Sequence, residues 1–421
     1  MQSTTTEASF TDIVIVGAGP GGCATSLFLA KNGIKHTVLE KAVFPRDKIC
    51  GDAVSGKCLA VLRKLNPDIA KAFEAQSTAF QPSWGIKFTA PNGKSIDIPF
   101  KLDLSKVDRP LAFISKRFDF DNALFERLDT RYAQVIQGAE VVDVQRVNGA
   151  VSVSYVQAGK TQRIDGIKVV VGAEGDRSVV AKKLSTNKME KEHYCAGLRQ
   201  YYAGIRDMHP QQLMELFFLP GILPGYLWIF PLPNGQANVG IGMLSSEISK
   251  RKVNLKQVLE KALAEDPLLK ERFSDAKPLG KVQGWGLPLG SKKRPISGDN
   301  FLLTGDAASL IDPFSGEGIG NALYSGMLAA EALVKAFEDN RFDAAFFKEY
   351  DALFYERQWN ELQLSHRLQQ LSKYPWVFNF VVNKANKNKT LRETMITMFD
   401  DIDLRAKLRN PLFYLKLLIN D

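Results

Sequence analysis

A chain of 421 residues is longer than one hydrophobic core usually serves, so two lobes sharing one continuous body are expected. With 45% hydrophobic and 24% charged residues and no repeat or low-complexity segment, the composition is that of a soluble globular protein; Cys23, Cys50, Cys58 and Cys195 make no C-x-x-C pair and with four scattered histidines give no metal spacing, which implies a reduced, cytoplasmic setting. The net charge of +9 has no strong basic block behind it and suits an anionic cofactor or an acidic lipid surface as well as nucleic acid, so no nucleic-acid partner is assigned.

Residues 1–10 are polar with no basic segment ahead of an apolar run, so no secretory signal is expected. Ile13 to Val16 reads as a buried strand running into Gly17-Ala18-Gly19-Pro20-Gly21-Gly22, followed by a helix over Cys23–Lys31 and a strand over His36–Leu39. In this arrangement Gly17 takes the positive φ of the turn, Gly19 lets the backbone approach a pyrophosphate, and Gly22 lets helix and strand pack closely. Glu40 ends the second strand where a carboxylate accepts hydrogen bonds from both hydroxyls of an adenosine ribose. Strand, glycine turn, helix, strand and acidic residue all fall where dinucleotide binding needs them.

Residues 44–56 form a loop of little periodicity. A short helix over Gly56–Leu65, a hairpin over Trp84–Pro99 turning at Pro91-Asn92-Gly93, and a helix over Arg117–Arg131 follow. From Gln134 to Val171 the pattern alternates, with turns at Asn148-Gly149 and Ala158-Gly159, and predicts a small sheet beside the first unit. Val169–Gly172 then enters a second strand-to-helix junction at Ala173-Glu174-Gly175-Asp176-Arg177-Ser178. Strand patterns over 195–205, 213–219, 226–230 and 236–243, with one helix near 255–264, predict an antiparallel second lobe. Leu213–Leu232 has one charge, Glu215, but Pro220, Pro224 and Pro231 exclude a membrane helix and leave strands lining an apolar cavity. Phe301–Thr304 returns to a buried parallel strand before Gly305-Asp306-Ala307-Ala308 and Asp312-Pro313-Phe314-Ser315-Gly316-Glu317-Gly318-Ile319-Gly320, where a long helix opens and runs to about Phe337. Beyond Ala344 the chain reads as helix, broken near Pro375 and Pro411.

Four ordered motifs, the glycine turn, the Pro45–Asp52 loop around Lys48-Ile49-Cys50-Gly51, Arg117-Phe118-Asp119-Phe120-Asp121, and Gly305-Asp306-Ala307-Ala308 through Gly318-Ile319, resemble the geranylgeranyl reductase family of FAD-dependent reductases, within the p-hydroxybenzoate hydroxylase-like flavoproteins. The resemblance covers about residues 10–335 and adds Tyr226-x-Trp228-x-Phe230-Pro231, similar to that family's substrate-lobe motif; Leu223, Glu174 and the last 80 residues depart from the pattern. It implies an α/β protein with an α+β second lobe: a Rossmann-type FAD-binding domain in two parts (10–190 and 291–340), an antiparallel-sheet substrate domain (191–290) and a helical C-terminal region (341–421). It further implies non-covalent FAD contacts at Gly17, Gly19, Pro20, Gly21, Gly22, Glu40, Lys41, Lys48, Cys50, Gly51, Ala53, Arg117, Val141, Gly305, Asp306, Pro313, Gly316, Gly318 and Ile319, with Cys50 beside the reacting ring and Tyr226, Trp228 and Phe230 against an apolar, isoprenoid-type substrate.

The residues carry their own chemistry beside that resemblance. Asp306 either accepts from a ribityl hydroxyl or caps a helix. The helix opened at Gly316-Glu317-Gly318-Ile319 offers free N–H groups to the negative charge of a reduced flavin, worth up to ~2 kcal/mol when partly buried. Arg117 is a ligand contact or a surface charge at the unfavourable end of a helix dipole. Cys50 either steers substrate or donates a proton, or simply fits a tight loop. Tyr226, Trp228 and Phe230 share one strand face, as sheet core or as tunnel wall. The expected reaction is reduction of carbon–carbon double bonds by hydride from reduced FAD, with a flavin monooxygenase or halogenase acting on an aromatic or polyene substrate as the alternative. A single dinucleotide fingerprint leaves the electron donor as NAD(P)H or a reduced ferredoxin-like protein, and the sequence leaves the oligomeric state open. Trp376, Val377, Phe380, Val381 and Lys384 between Lys373 and Lys389, and Leu412–Leu418 near Arg409 and Lys416, form apolar stripes with basic edges, which either cap the substrate lobe or seat a cytoplasmic enzyme peripherally on anionic membrane.

Overall fold

The computed structural model describes residues 9–76 and 78–400. The first lobe is built on a six-stranded sheet in the order Ser297–Gly298, Phe301–Leu303, Val169–Gly172, Ile13–Val16, His36–Glu40, Ala133–Gln137, in which all neighbours are parallel except the first pair. All four residues of Ile13–Val16 are buried, as a parallel strand covered on both faces requires. Helix Pro20–Lys31 starts three residues earlier than the sequence predicts, with Pro20 in the first turn where its missing N–H costs nothing, and is buried from Pro20 to Ala30. The long helix Ile319–Asp339 packs on it so closely that a Cβ on Gly326 would lie 2.4 Å from the carbonyl oxygen of Gly21.

The alternating segment divides between two sheets. Ala133–Gln137 joins the parallel sheet, and only Glu140–Val147, Ala150–Gln157 and Lys160–Ile167 form the separate three-stranded sheet, with the turns where Asn148-Gly149 and Ala158-Gly159 put them. Helix Arg117–Phe125 ends six residues before the predicted Arg131. The second lobe is a seven-stranded sheet in the order Lys277–Pro288, Tyr194–Ala203, Gln236–Leu244, Gly225–Leu232, Met214–Phe217, Gly85–Thr89, Ser95–Pro99. The predicted hairpin therefore belongs to this lobe, docked by a parallel pairing of Gly85–Thr89 with Met214–Phe217, so the division at residue 191 does not separate the lobes in space. Helix Leu255–Glu265 stands where one is predicted, and Ser245–Arg251 and Lys270–Phe273 are short helices that the sequence patterns do not show.

Helices Ala344–Leu371, Pro375–Lys387 and Lys389–Asp400 follow, with the predicted break at Pro375; Pro411 and the Leu412–Leu418 stripe lie outside the described residues. Among the described residues no helix is long and apolar enough to cross a membrane. Phe378 faces inward, stacked 4.1 Å from Phe218, while Tyr374, Trp376 and Phe380 on the same segment are exposed.

Candidate functional site

One cavity of about 1600 Å³ runs along the carboxyl edge of the parallel sheet and on under the second lobe. The glycine turn sets its floor. Gly17 adopts φ +96°, and a Cβ there would meet the Ala173 carbonyl oxygen at 2.6 Å. At Gly22 a Cβ would lie 1.8 Å from the Gly17 carbonyl oxygen, and at Gly21 2.7 Å from Thr304 Oγ1, so both are closed by protein. Gly19 differs: its Cβ would meet only the Arg46 guanidinium, at 3.8 Å, which leaves the backbone open to the cavity beside a helix N-terminus without a side-chain cap. An anionic diphosphate fits this cradle.

Glu40 is buried, and its carboxylate accepts from Ala18 N at 2.6 Å and Ala42 N at 2.8 Å. It fastens the glycine turn as well as bordering the cavity, with lone pairs left for ribose hydroxyls. Lys41 pairs with Glu140 at the rim, and Val141 lines the cavity below. Lys48 Nζ lies 3.4 Å from Asp306 Oδ2 and 5.4 Å from the centre of the Trp285 ring, so the loop and the Gly305-Asp306 turn meet across the cavity. Gly305 sits at φ +56°, its N–H bound to Ser325 Oγ at 3.0 Å. At the opening of helix Ile319–Asp339 the Gly320 N–H is taken by Glu317 Oε1 at 2.5 Å, so one of the four free donors expected there is satisfied within the chain. Burial pushes the Glu317 carboxyl above its ordinary pKa. Gly316, Gly318 and Ile319 line the cavity; Gly22 and Pro313 lie behind its wall.

Arg117 is not a surface charge, and it borders the cavity. It is buried and bidentate with Asp121, Nε to Oδ1 at 2.6 Å and Nη2 to Oδ2 at 2.7 Å, and Arg46 joins the same carboxylate. Burial acts to raise the Asp121 pKa, and the two guanidiniums overcome it to hold the group below the usual carboxylate range. Arg117 also lies near enough to Cys50 for its positive charge to act on that thiol. Burial raises the Cys50 pKa, with Arg117 opposing, so the group at the cavity wall is a neutral thiol.

The second lobe supplies the apolar wall. Tyr226, Trp228 and Phe230 all line the cavity, with Met214, Leu216 and Phe314. They touch the first lobe directly: Tyr226 donates to the Ser315 carbonyl at 2.5 Å, and a Cβ on Gly51 would meet Phe230 at 3.4 Å. The Trp228 ring lies over Gly240, where a Cβ would come within 2.2 Å of it, and its Nε1 donates to Asn238 at 2.9 Å. Sequence patterns do not show Asp52, Tyr201 and Asn238, a buried hydrogen-bonded group under the Cys50 loop; the only local hint is an aspartate directly after Cys50-Gly51. Arg46 and Glu317 were equally invisible as partners, since the Arg46–Asp121 pair is long-range and the Glu317 bond depends on loop shape.

Comparison with known proteins agrees with this geometry. The FAD binding domain family matches residues 10–352. Among curated proteins, a menaquinone reductase of Mycolicibacterium smegmatis is 30% identical over 343 residues, covering 76% of each chain. A digeranylgeranylglycerophospholipid reductase of Thermoplasma acidophilum is 29% identical over 350 residues, covering 82% of this chain and 83% of its own. Among solved structures, a geranylgeranyl bacteriochlorophyll reductase-like protein from T. acidophilum superposes with TM-score 0.79 at 23% identity over 94% of each chain. A flavin-dependent brominase follows at TM-score 0.75 and 22% identity, covering 97% of this chain and 99% of its own, so the fold alone does not choose between reductase and halogenase.

Proposed function

The chain belongs to the FAD binding domain family and is an FAD-dependent oxidoreductase of geranylgeranyl reductase type, and on that premise we propose that it reduces carbon–carbon double bonds of an apolar, isoprenoid-type lipid. The observation that carries this reading is the continuity of the cofactor cradle with a wall of Met214, Leu216, Tyr226, Trp228, Phe230 and Phe314 inside one cavity of about 1600 Å³. That exceeds the roughly 300–1000 Å³ of a usual small-molecule site and leaves room for a second, greasy molecule beside a dinucleotide. Curated relatives named as reductases of a menaquinone and of a digeranylgeranyl phospholipid support the same substrate class.

Gly17, Gly19, Glu40, Asp306 and the backbone at Gly316–Ile319 would hold FAD, which supplies hydride when reduced. The protein's own part is to close water out with the aromatic wall, to seat an alkene against it, and to keep Cys50 as a thiol, which burial favours over the opposing pull of Arg117.

The test is anaerobic photoreduction of the flavoprotein, which needs no assumed electron donor, followed by a geranylgeranyl-bearing phospholipid. Flavin reoxidation with a gain of two hydrogens per double bond is expected. Reoxidation by O₂ alone, with oxygen or halide entering an aromatic substrate, would replace the reading by the monooxygenase or halogenase one. Cys50→Ala should retain FAD and slow reduction about ten- to a hundredfold, the cost of a misplaced substrate; normal turnover would make Cys50 a loop residue only.

The exposed Trp376, Tyr374 and Phe380, with Lys373, Lys384 and Lys387 on the same segment, support a further part of the reading, peripheral seating on anionic lipid. Flotation should show salt-sensitive binding to anionic vesicles and none to neutral ones. Equal behaviour of the two vesicle types at low salt would return the helix to a purely structural role.

A further inference from the structure

Asp52 is fully buried, sits at φ +68° directly after Cys50-Gly51, and borders the cavity. Its Oδ2 accepts from the Tyr201 hydroxyl and from Asn238 Nδ2, each at 2.8 Å. Its Oδ1 is buried with no hydrogen-bond partner. An ionised carboxylate half satisfied and out of water is costly, and a proton removes the charge. Asn238 is locked in place, since it also donates to the Cys50 carbonyl at 2.8 Å and receives Trp228 Nε1, so the group is tied to both the reacting loop and the substrate wall. Tyr201 connects outward: the Arg199 guanidinium stacks 4.0 Å over its ring and pairs with Asp47 at 2.6 Å, and Asp47 is half-exposed.

From this geometry we propose that Asp52, anchored by Asn238 and replenished through Tyr201, stores the proton that saturation of a double bond consumes. The proposal rests on the alkene-reductase reading. A saturated product gains a hydride at one carbon and a proton at the other. The hydride and its two electrons come from reduced FAD; the O–H bond of the Asp52 carboxyl breaks as the second C–H bond forms, leaving a carboxylate that regains its proton from water by way of the Tyr201 hydroxyl.

The charged and titratable groups facing Asp52 are Arg117 from helix Arg117–Phe125, Arg199 and Tyr201 from strand Tyr194–Ala203, and Cys50 from its own loop, while Lys116 lies 5.0 Å over the Tyr201 ring. Burial raises Asp52 to about 6, against the lowering pull of Asn238, Tyr201, Arg199 and Arg117. That value lies near a working pH, whereas burial has raised the Cys50 thiol away from it, so Asp52 is the better acid of the two.

Single-turnover reduction of the geranylgeranyl phospholipid by the photoreduced flavoprotein should fall as pH rises through about 6, the range in which Asp52 loses its proton. Asp52→Asn should keep FAD, slow the step about a hundredfold or more and abolish that pH limb. Tyr201→Phe removes a hydrogen bond that favours the carboxylate, so its limb should move to higher pH. Thermal unfolding of the flavoprotein gives a readout free of substrate. A raised folded-state pKa contributes stability at low pH that is lost as pH rises toward about 6, so Asp52→Asn should gain on the unmutated protein between pH 4.5 and 7.5. An Asp52→Asn protein with an unchanged rate and pH limb, or a stability difference that does not change with pH, overturns the proposal. Failure of the unmutated protein to reduce the lipid overturns the alkene-reductase reading instead, and the stability series still decides whether Asp52 holds a proton.

Discussion

Gly22→Ala should yield a protein without flavin and with folding stability reduced at or beyond the upper end of the ~1–3 kcal/mol usual for overpacking. The added Cβ would sit 1.8 Å from the Gly17 carbonyl oxygen and 3.4 Å from the Ala173 side chain, and the nearer obstacle is backbone that cannot swing aside. Relief requires helix Pro20–Lys31 to lift from strand Ile13–Val16, which breaks the bond from Ala18 N to Glu40 and opens the diphosphate cradle. Gly19→Ala is the informative control. Its Cβ has only the Arg46 guanidinium within reach, at 3.8 Å, so the protein should unfold like the unmutated one while losing FAD affinity. Denaturant melts with flavin content measured on the same samples check both. Equal stability of the Gly22→Ala and Gly19→Ala proteins would show that the close contact at Gly22 does not constrain the turn.

Glu215→Ala should cost ~3–5 kcal/mol of stability, because it strands a buried cation. Glu215 is the one charge in the otherwise apolar Leu213–Leu232, and its two oxygens meet Arg272 Nη1 at 2.8 Å and Nη2 at 2.7 Å, with Lys87 Nζ 3.9 Å away. Alternation along strand Met214–Phe217 puts Met214 and Leu216 on the cavity side and Glu215 on the other, so the ion pair fixes the register of the substrate wall from behind. The double change Glu215→Leu with Arg272→Met should recover most of the loss, since no lone charge is left buried. Urea midpoints of the single and double variants check this, and a single variant within 1 kcal/mol of the unmutated protein would count against it.

The first lobe was legible because local chemistry dictates it. Ile13–Val16, the glycine turn, Glu40 and Gly305-Asp306 occupy short stretches whose residue types each have a steric or dipolar reason, and the structure brings Val16, Gly17, Gly19, Gly21, Glu40, Gly305 and Asp306 to one cavity. Tyr226, Trp228 and Phe230 were legible as one face for the same reason, a period of two. What sequence order hid is pairing over distance. The hairpin Gly85–Pro99 reads as a self-contained unit, and only the parallel partner Met214–Phe217, more than a hundred residues on, assigns it to the second lobe. Arg117 was placed by its helix dipole, while its environment is set by Asp121 one turn on and by Arg46 and Cys50 from a separate loop. Asp52 could not be singled out at all, because its partners come from two strands of the other lobe.

The close seating of helix Ile319–Asp339 on helix Pro20–Lys31 sets a delay in biosynthesis. Every residue from Pro20 to Ala30 is buried in the finished protein, partly by a helix encoded some three hundred positions later, and strand Val169–Gly172 likewise waits for Phe301–Leu303. At the ~5–20 residues per second of translation, the ribosome takes from about fifteen seconds to a minute to deliver that cover. Throughout that interval the nascent chain carries a bare apolar helix face and an unpaired strand edge, so a ribosome stalled before residue 320 releases a product that chaperones or proteases must handle, and the helix opening that lines the cavity exists only once about three quarters of the chain has been made.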